Sequence, residues 1–126
     1  MMNPMGCAAA LATIDVIIDE QLVNRSAARG KRLVDGLHAI QARHSGVGDV
    51  RALGLMVAAE LTRADGTADA ARTGAVMAHC LEHDRVVLMS CGAEGNVIRF
   101  MPPLVVSDDE IDRALAAFDA ALAATA

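Results

Sequence analysis

Large aromatic side chains are almost missing from this 126-residue sequence, which has two Phe and neither Trp nor Tyr. A surface that stacks nucleobases is thereby excluded, and the formal net charge of −5 argues against binding to a phosphate backbone. Lysine occurs once, at Lys31. Cysteine is also scarce: Cys7, Cys80 and Cys91 are odd in number, widely spaced and without a C-x-x-C pair, which leaves no disulfide framework or zinc motif. We expect reduced, mostly buried thiols. The longest uncharged run, Met1 to Ile14, is too short to span a bilayer and lacks the basic start of a signal peptide, so the expectation is a cytoplasmic protein without a membrane partner.

What is abundant is aliphatic. Hydrophobic residues make up 54% of the chain, and the mean hydropathy is +0.36. The length suits one domain with a core of Ala, Val, Leu, Ile and Met. A chain this apolar is expected to leave a hydrophobic patch that docks elsewhere.

Asn3-Pro4 is a helix start signal, and Leu11, Ile14 and Ile18 follow at helical spacing through about Asp19. A second helix, from Leu22 to His44, places Leu33, Leu37 and Ile40 on one face, although Gly30 and Gly36 weaken it. Gly46-Val47-Gly48 reads as a turn, since it lacks the third glycine and the flanking elements of a dinucleotide loop. Leu53 to Leu61 alternates as one strand. A third helix spans Ala68 to Asp84, with Val76, Met77, Cys80 and Leu81 facing inward. Arg85–Ser90 and Asn96–Met101 form a hairpin about Gly92 and Gly95 that Pro102-Pro103 terminates. Ser107 to Glu110 is a capping box opening a last helix with Ile111, Leu115, Phe118 and Leu122 inward. The order predicts an α+β fold: a small antiparallel sheet of about three strands with helices on one face.

Little in the chain carries chemistry. His79-Cys80-Leu81-Glu82-His83 matches the H-x-x-E-H string of inverted zinc peptidases, but it runs straight into a short strand and has no third ligand, so a solvated helix face is the simpler account. Cys91 has no neighbouring His to activate it. We expect no catalytic residue and no metal. Arg99 stands out because it sits in an otherwise apolar strand, with Ile98 and Phe100 on one face and Val97, Arg99 and Met101 on the other. Spacing alone leaves two readings open, an ordinary surface arginine or a guanidinium that holds a carboxylate.

Three stretches together resemble one family. They are Asn3 to Leu11, Gly48 to Met56 with Glu60-Leu61, and Ser90-Cys91-Gly92 through Asn96-Val97-Ile98-Arg99-Phe100-Met101-Pro102-Pro103-Leu104 to Asp108. They are similar to the C-terminal part of class III pyridoxal-phosphate aminotransferases, most of all to the 4-aminobutyrate type. The resemblance implies a fold-type I enzyme whose large domain holds pyridoxal 5'-phosphate while this small domain, residues 1–126, closes over the substrate. It assigns Arg99 to the α-carboxylate of an amino-acid substrate, with 2-oxoglutarate as amino acceptor and a homodimer as the assembly. It also implies that the cofactor lysine, the aspartate at the pyridinium nitrogen and the stacking aromatic lie upstream of this chain. Nothing around Lys31 resembles the cofactor-lysine motif, and Met1-Met2 stands where glycines precede Asn-Pro in the family. The expectation is a domain that binds no cofactor and is inactive alone. The alternative is a stand-alone, non-catalytic binding or oligomerisation module.

Overall fold

The computed structural model describes residues 3–126. Eight elements follow in the order α1 (Pro4–Asp19), α2 (Leu22–Gln41), β1 (Val47–Leu53), β2 (Met56–Leu61), α3 (Ala70–Asp84), β3 (Met89–Cys91), β4 (Val97–Phe100) and α4 (Asp108–Ala124). The strands form one antiparallel sheet in the order β1-β2-β4-β3. The α+β architecture expected from the sequence is the one observed.

The sheet has four strands rather than about three, because Leu53 to Leu61 is not one strand. The chain reverses between Leu53 and Met56, which pair with each other. A two-residue turn preserves the period of two, so the alternation runs through it without a visible break. Gly54, at φ +56°, supplies the left-handed residue that the turn requires. The stretch Gly46-Val47-Gly48 is likewise not a plain turn: Val47 already pairs with Leu61, and the register shifts before Val50. That irregularity is a bulge, which a glycine at position 48 accommodates.

The hairpin tip is clamped onto α2. Its Leu55 N–H donates to Ser26 Oγ at 3.2 Å. A Cβ at Gly30 would stand 2.1 Å from the Gly54 carbonyl oxygen, and one at Gly36 would stand 2.3 Å from Leu115 Cδ1 of α4. The glycines that weaken α2 by propensity are thus its contact points, where close approach outweighs about 1 kcal/mol of helix preference each.

The core lies between the sheet and α2, α3 and α4. Leu33, Leu37 and Ile40 of α2 meet Val57, Ala59 and Leu61 of β2, Ile98 and Phe100 of β4, and Ile111, Phe118 and Leu122 of α4. Phe100 and Phe118, the sole aromatic residues besides histidine, meet edge to face with centroids 5.4 Å apart. In α3, Thr73 joins Val76 and Cys80 inside while Leu81 is half exposed. One residue beyond Cys80 is about 100° further around the helix, which turns Leu81 off the core-facing stripe. Thr73 is admitted because its hydroxyl donates to the Asp69 carbonyl at 2.8 Å.

Ion pairs and a histidine hydrogen bond join α2 and the two residues Arg43 and His44 just beyond it to α4. Arg29 meets Asp108 at 3.2 Å, Arg32 meets Asp112 at 2.6 Å, and Arg43 and His44 share Asp119 at 2.8 and 2.7 Å. The Arg32 hydrogen bond holds the Asp112 carboxyl below its ordinary range. At Asp119 partial burial opposes ionisation, but the bonds from His44 and Arg43 outweigh it and its pKa is also lowered.

Helix α1 is the exception to this packing. It is capped by Asn3, whose side chain accepts from the Met5 N–H, yet none of its residues is buried. Leu11, Ile14 and Ile18 are 63%, 51% and 65% exposed. No helix among the described residues is long and apolar enough to cross a membrane.

Candidate functional site

The candidate residues lie on the side of the sheet that no helix among the described residues covers. Strand alternation places Met56, Ala58 and Glu60 of β2 opposite the buried Val57, Ala59 and Leu61. Arg51 pairs with Ala58, Ala58 with Arg99, and Arg99 with Met89, so these four residues form one row across all four strands. Leu53, Met56 and Met101 border the row and, like Met89 within it, are more than half exposed.

The two arginines of this row differ. Arg51 is neutralised by Asp49 at 2.8 Å and Glu60 at 3.4 Å, and the hydrogen bond it donates to Asp49 raises its pKa. Glu60 is further engaged by Asn96 Nδ2 at 3.1 Å. Arg51 and Glu60 therefore complete each other and stabilise the sheet.

Arg99 has no such partner. No carboxylate lies within 4.0 Å of its guanidinium among the described residues, its Nε is buried without a hydrogen bond, and its Nη2 rests 4.0 Å from Met89 Sδ. It is held by β4, whose flanking Ile98 and Phe100 are fixed in the core. Met89 on one neighbouring strand and Ala58 on the other leave its charge uncompensated. A fixed, half-buried guanidinium with unfilled donors is suited to a planar carboxylate, which it can engage through two parallel N–H···O bonds.

The remaining candidates fall elsewhere. His79 and His83 stack with ring centroids 4.3 Å apart on α3. No group of three or more His, Cys, Asp or Glu among the described residues could hold a metal ion. Only Cys80 of the three thiols is buried, against the expectation that most would be: Cys7 is exposed and Cys91 half-buried. Burial pushes Cys80 up to about 11. Met1-Met2 lies outside the described residues.

A cleft of about 420 Å³ also opens beside β4, with Arg85, Arg99 and Arg113 on its walls. Sequence reasoning missed Arg85 and Arg113. The available signal was the helix-to-strand junction at Asp84-Arg85, which lacks the usual glycine; Arg85 takes the left-handed conformation there at φ +59°.

The sequence profile of the family described as aminotransferase class-III matches residues 1–122. The chain belongs to the class-III aminotransferase family. Within it, the 5-aminovalerate aminotransferase of Pseudomonas putida is 44% identical over 115 residues, covering 90% of this chain and 27% of the relative. The 4-aminobutyrate aminotransferase of Escherichia coli is 39% identical over 116 residues, with the same coverage of both. Among solved structures, a Bacillus anthracis aminotransferase superposes with a TM-score of 0.89 at 29% identity, over 97% of this chain and 28% of that one. The chain thus spans little more than a quarter of the length of the relatives it matches.

Proposed function

We propose that this chain, residues 1–126, is the C-terminal small domain of an aminotransferase that moves an amino group from an ω-amino acid such as 4-aminobutyrate to 2-oxoglutarate, with Arg99 binding the α-carboxylate of the amino-acid substrate. The observation that carries the reading is the uncompensated guanidinium of Arg99 on an open sheet face. The names of the relatives support the substrate class. The bare surface of α1 supports a larger body against which the domain packs.

In this role Arg99 does two things. Its parallel donors neutralise the carboxylate and fix the orientation of the adjoining carbon, converting loose association into a defined pose. Its attachment to a core strand limits the movement of that pose, because Ile98 and Phe100 cannot shift without disturbing the packing.

The residues of this chain do not fit pyridoxal 5'-phosphate. Lys31, the single lysine, is exposed on α2 and tied to Asp35 at 2.6 Å, and no aromatic residue is available to stack on a pyridine ring outside the core. The cofactor and its chemistry are therefore assigned to the large domain of the parent enzyme, a cytoplasmic homodimer in this reading. The domain alone is expected to be inactive with pyridoxal 5'-phosphate, 4-aminobutyrate and 2-oxoglutarate.

A chimaera tests the clamp. With this chain in place of the corresponding segment of the Escherichia coli relative, amino transfer is expected to survive. Arg99→Ala should then lower kcat/KM for the 2-oxoglutarate half-reaction about 100-fold, as loss of a charged hydrogen-bonded partner does. Half-reactions followed separately by absorbance would show a smaller loss with 4-aminobutyrate, which has no α-carboxylate. Equal losses in both would sink the assignment.

A further inference from the structure

Beyond Met89 and Arg99 the β3–β4 pairing opens. Continued in register, it would set Leu88 against Phe100 and Val86 against Pro102, but β3 begins only at Met89 and Pro102 has no N–H to donate. The two segments diverge into a fork that α4 and Leu33 of α2 close on the remaining side, and this fork is the 420 Å³ cleft. Its apolar wall includes Leu33, Val86, Leu88, Phe100, Val106 and Ile111.

The polar groups on this wall are strongly biased in charge. Arg25, Arg29, Arg32, Arg43, Arg51 and Arg63 each have a carboxylate within 4.0 Å. Of the four arginines that do not, Arg72 donates to the Leu122 carbonyl at 3.1 Å, and Arg85, Arg99 and Arg113 line the cleft. Arg113 makes one bond, to the Asp84 carbonyl at 2.6 Å. The acid on the wall, Glu110, accepts from Ser107 N at 2.7 Å and from Ser107 Oγ at 2.8 Å, so it is committed to the helix cap. A cationic mouth on an apolar fork thus stands in a chain of net charge −5. Arg85 sits at φ +59°, where glycine would be unstrained, so its side chain stands there at a local conformational cost.

We propose that the fork is a binding site for a small alkyl carboxylate, with the tail among Val86, Phe100, Val106 and Ile111 and the carboxylate held by Arg85 and Arg113. The volume and mixed lining are those of a small-molecule site, and a monoanion with an apolar tail is complementary to both parts. Arg99, the proposed α-carboxylate clamp, lines one wall of the cleft, but the groups that hold this carboxylate are Arg85 and Arg113, which the clamp does not use. The site therefore stands or falls without the aminotransferase assignment.

Octanoate is the probe, titrated into the ¹⁵N-labelled 126-residue chain with butyrate and octanol as controls. Binding should be saturable, with shifts at Val86, Phe100 and Ile111, and should tighten about threefold per methylene from butyrate upward. Octanol should bind about tenfold more weakly than octanoate, because it lacks the charge. Arg85→Gly separates binding from folding: relief of the left-handed strain should raise Tm by about 3–6 °C, while octanoate affinity falls about tenfold. Arg113→Gln should weaken octanoate to a similar extent. The proposal is overturned if octanoate binds no tighter than butyrate, or if its affinity is unchanged in a folded Arg85→Gly, Arg113→Gln double variant.

Discussion

Helices α1 and α4 are both rich in alanine and aliphatic residues and similar in length, yet they have opposite fates. Helix α4 buries Ile111, Ala117, Phe118, Ala121 and Leu122, while α1 buries nothing among the described residues. The difference lies in how the apolar residues are arranged. Those of α4 form one stripe, flanked by Asp108, Asp112 and Asp119 and opposed by Asp109, so one partner surface suffices. Those of α1 spread around the helix, with Met5, Leu11, Ile14, Val16 and Ile18 all exposed. A helix that is apolar on several sides is built to be enclosed, and this chain supplies no enclosure.

The strongest way to break this comparison is to cut the largest side chain from each helix. Phe118→Ala should destabilise the chain by about 3–5 kcal/mol, since Phe118 is fully buried against Phe100. Leu11→Ala should change stability by less than about 0.5 kcal/mol. Urea denaturation reads both, and a Leu11→Ala loss approaching that of Phe118→Ala would show that α1 is packed after all.

Glycine substitutions sharpen the same contrast. Gly30→Ala forces a Cβ into the backbone of Gly54 and should cost about 1–3 kcal/mol or more. At Gly6 of α1 a Cβ would meet nothing nearer than 3.8 Å, so Gly6→Ala should stabilise by about 0.5–1 kcal/mol through helix propensity alone. Opposite signs in thermal denaturation are the expected result.

The caps of the two helices differ as well. Ser107→Ala should cost about 1 kcal/mol. Hydrogen bonds from the backbone and then the side chain of Ser107 hold Glu110 below its ordinary pKa. Stability from this acid is therefore present above the unfolded-state value, about pH 4, and is lost as the pH falls through the lower folded value. Asp112 and Asp119 act in the same direction. No acid lies in the first turn of α1. Acid titration of the Ser107→Ala variant should accordingly show a shallower stability loss below pH 4 than the parent chain, whereas Asn3→Ala should leave that slope unchanged.

Much of the fold was legible because its signals are local. The capping box at Ser107, the stripes of α2 and α4, and the stop at Pro102-Pro103 each rest on neighbouring residues. What was misread depends on neighbours distant in sequence. Gly54 looked like one more residue of an alternating strand, and its turn becomes evident only when Met56 pairs back on Leu53. Arg99 was legible as an anomaly, and family resemblance supplied its expected partner. Its lack of a carboxylate, in contrast to Arg51 in the same row, emerged only when the sheet was assembled. Arg85 was missed because the one local signal, a helix-to-strand junction without a glycine, shows where a left-handed residue falls but not that its side chain joins Arg99 and Arg113 beside a cleft.

The sequence alone was enough for the helices, the inward faces of α2 and α4, the hydrophobic excess and the family to which the chain belongs, because periodicity, capping and motif order are written along the chain. Tertiary structure decided which charges are answered and which are not. Glu60 reaches Arg51 across the β1–β2 hairpin while Arg99 faces Met89 and Ala58, and that outcome depends on strand order and register, which decide the residues that face one another across neighbouring strands.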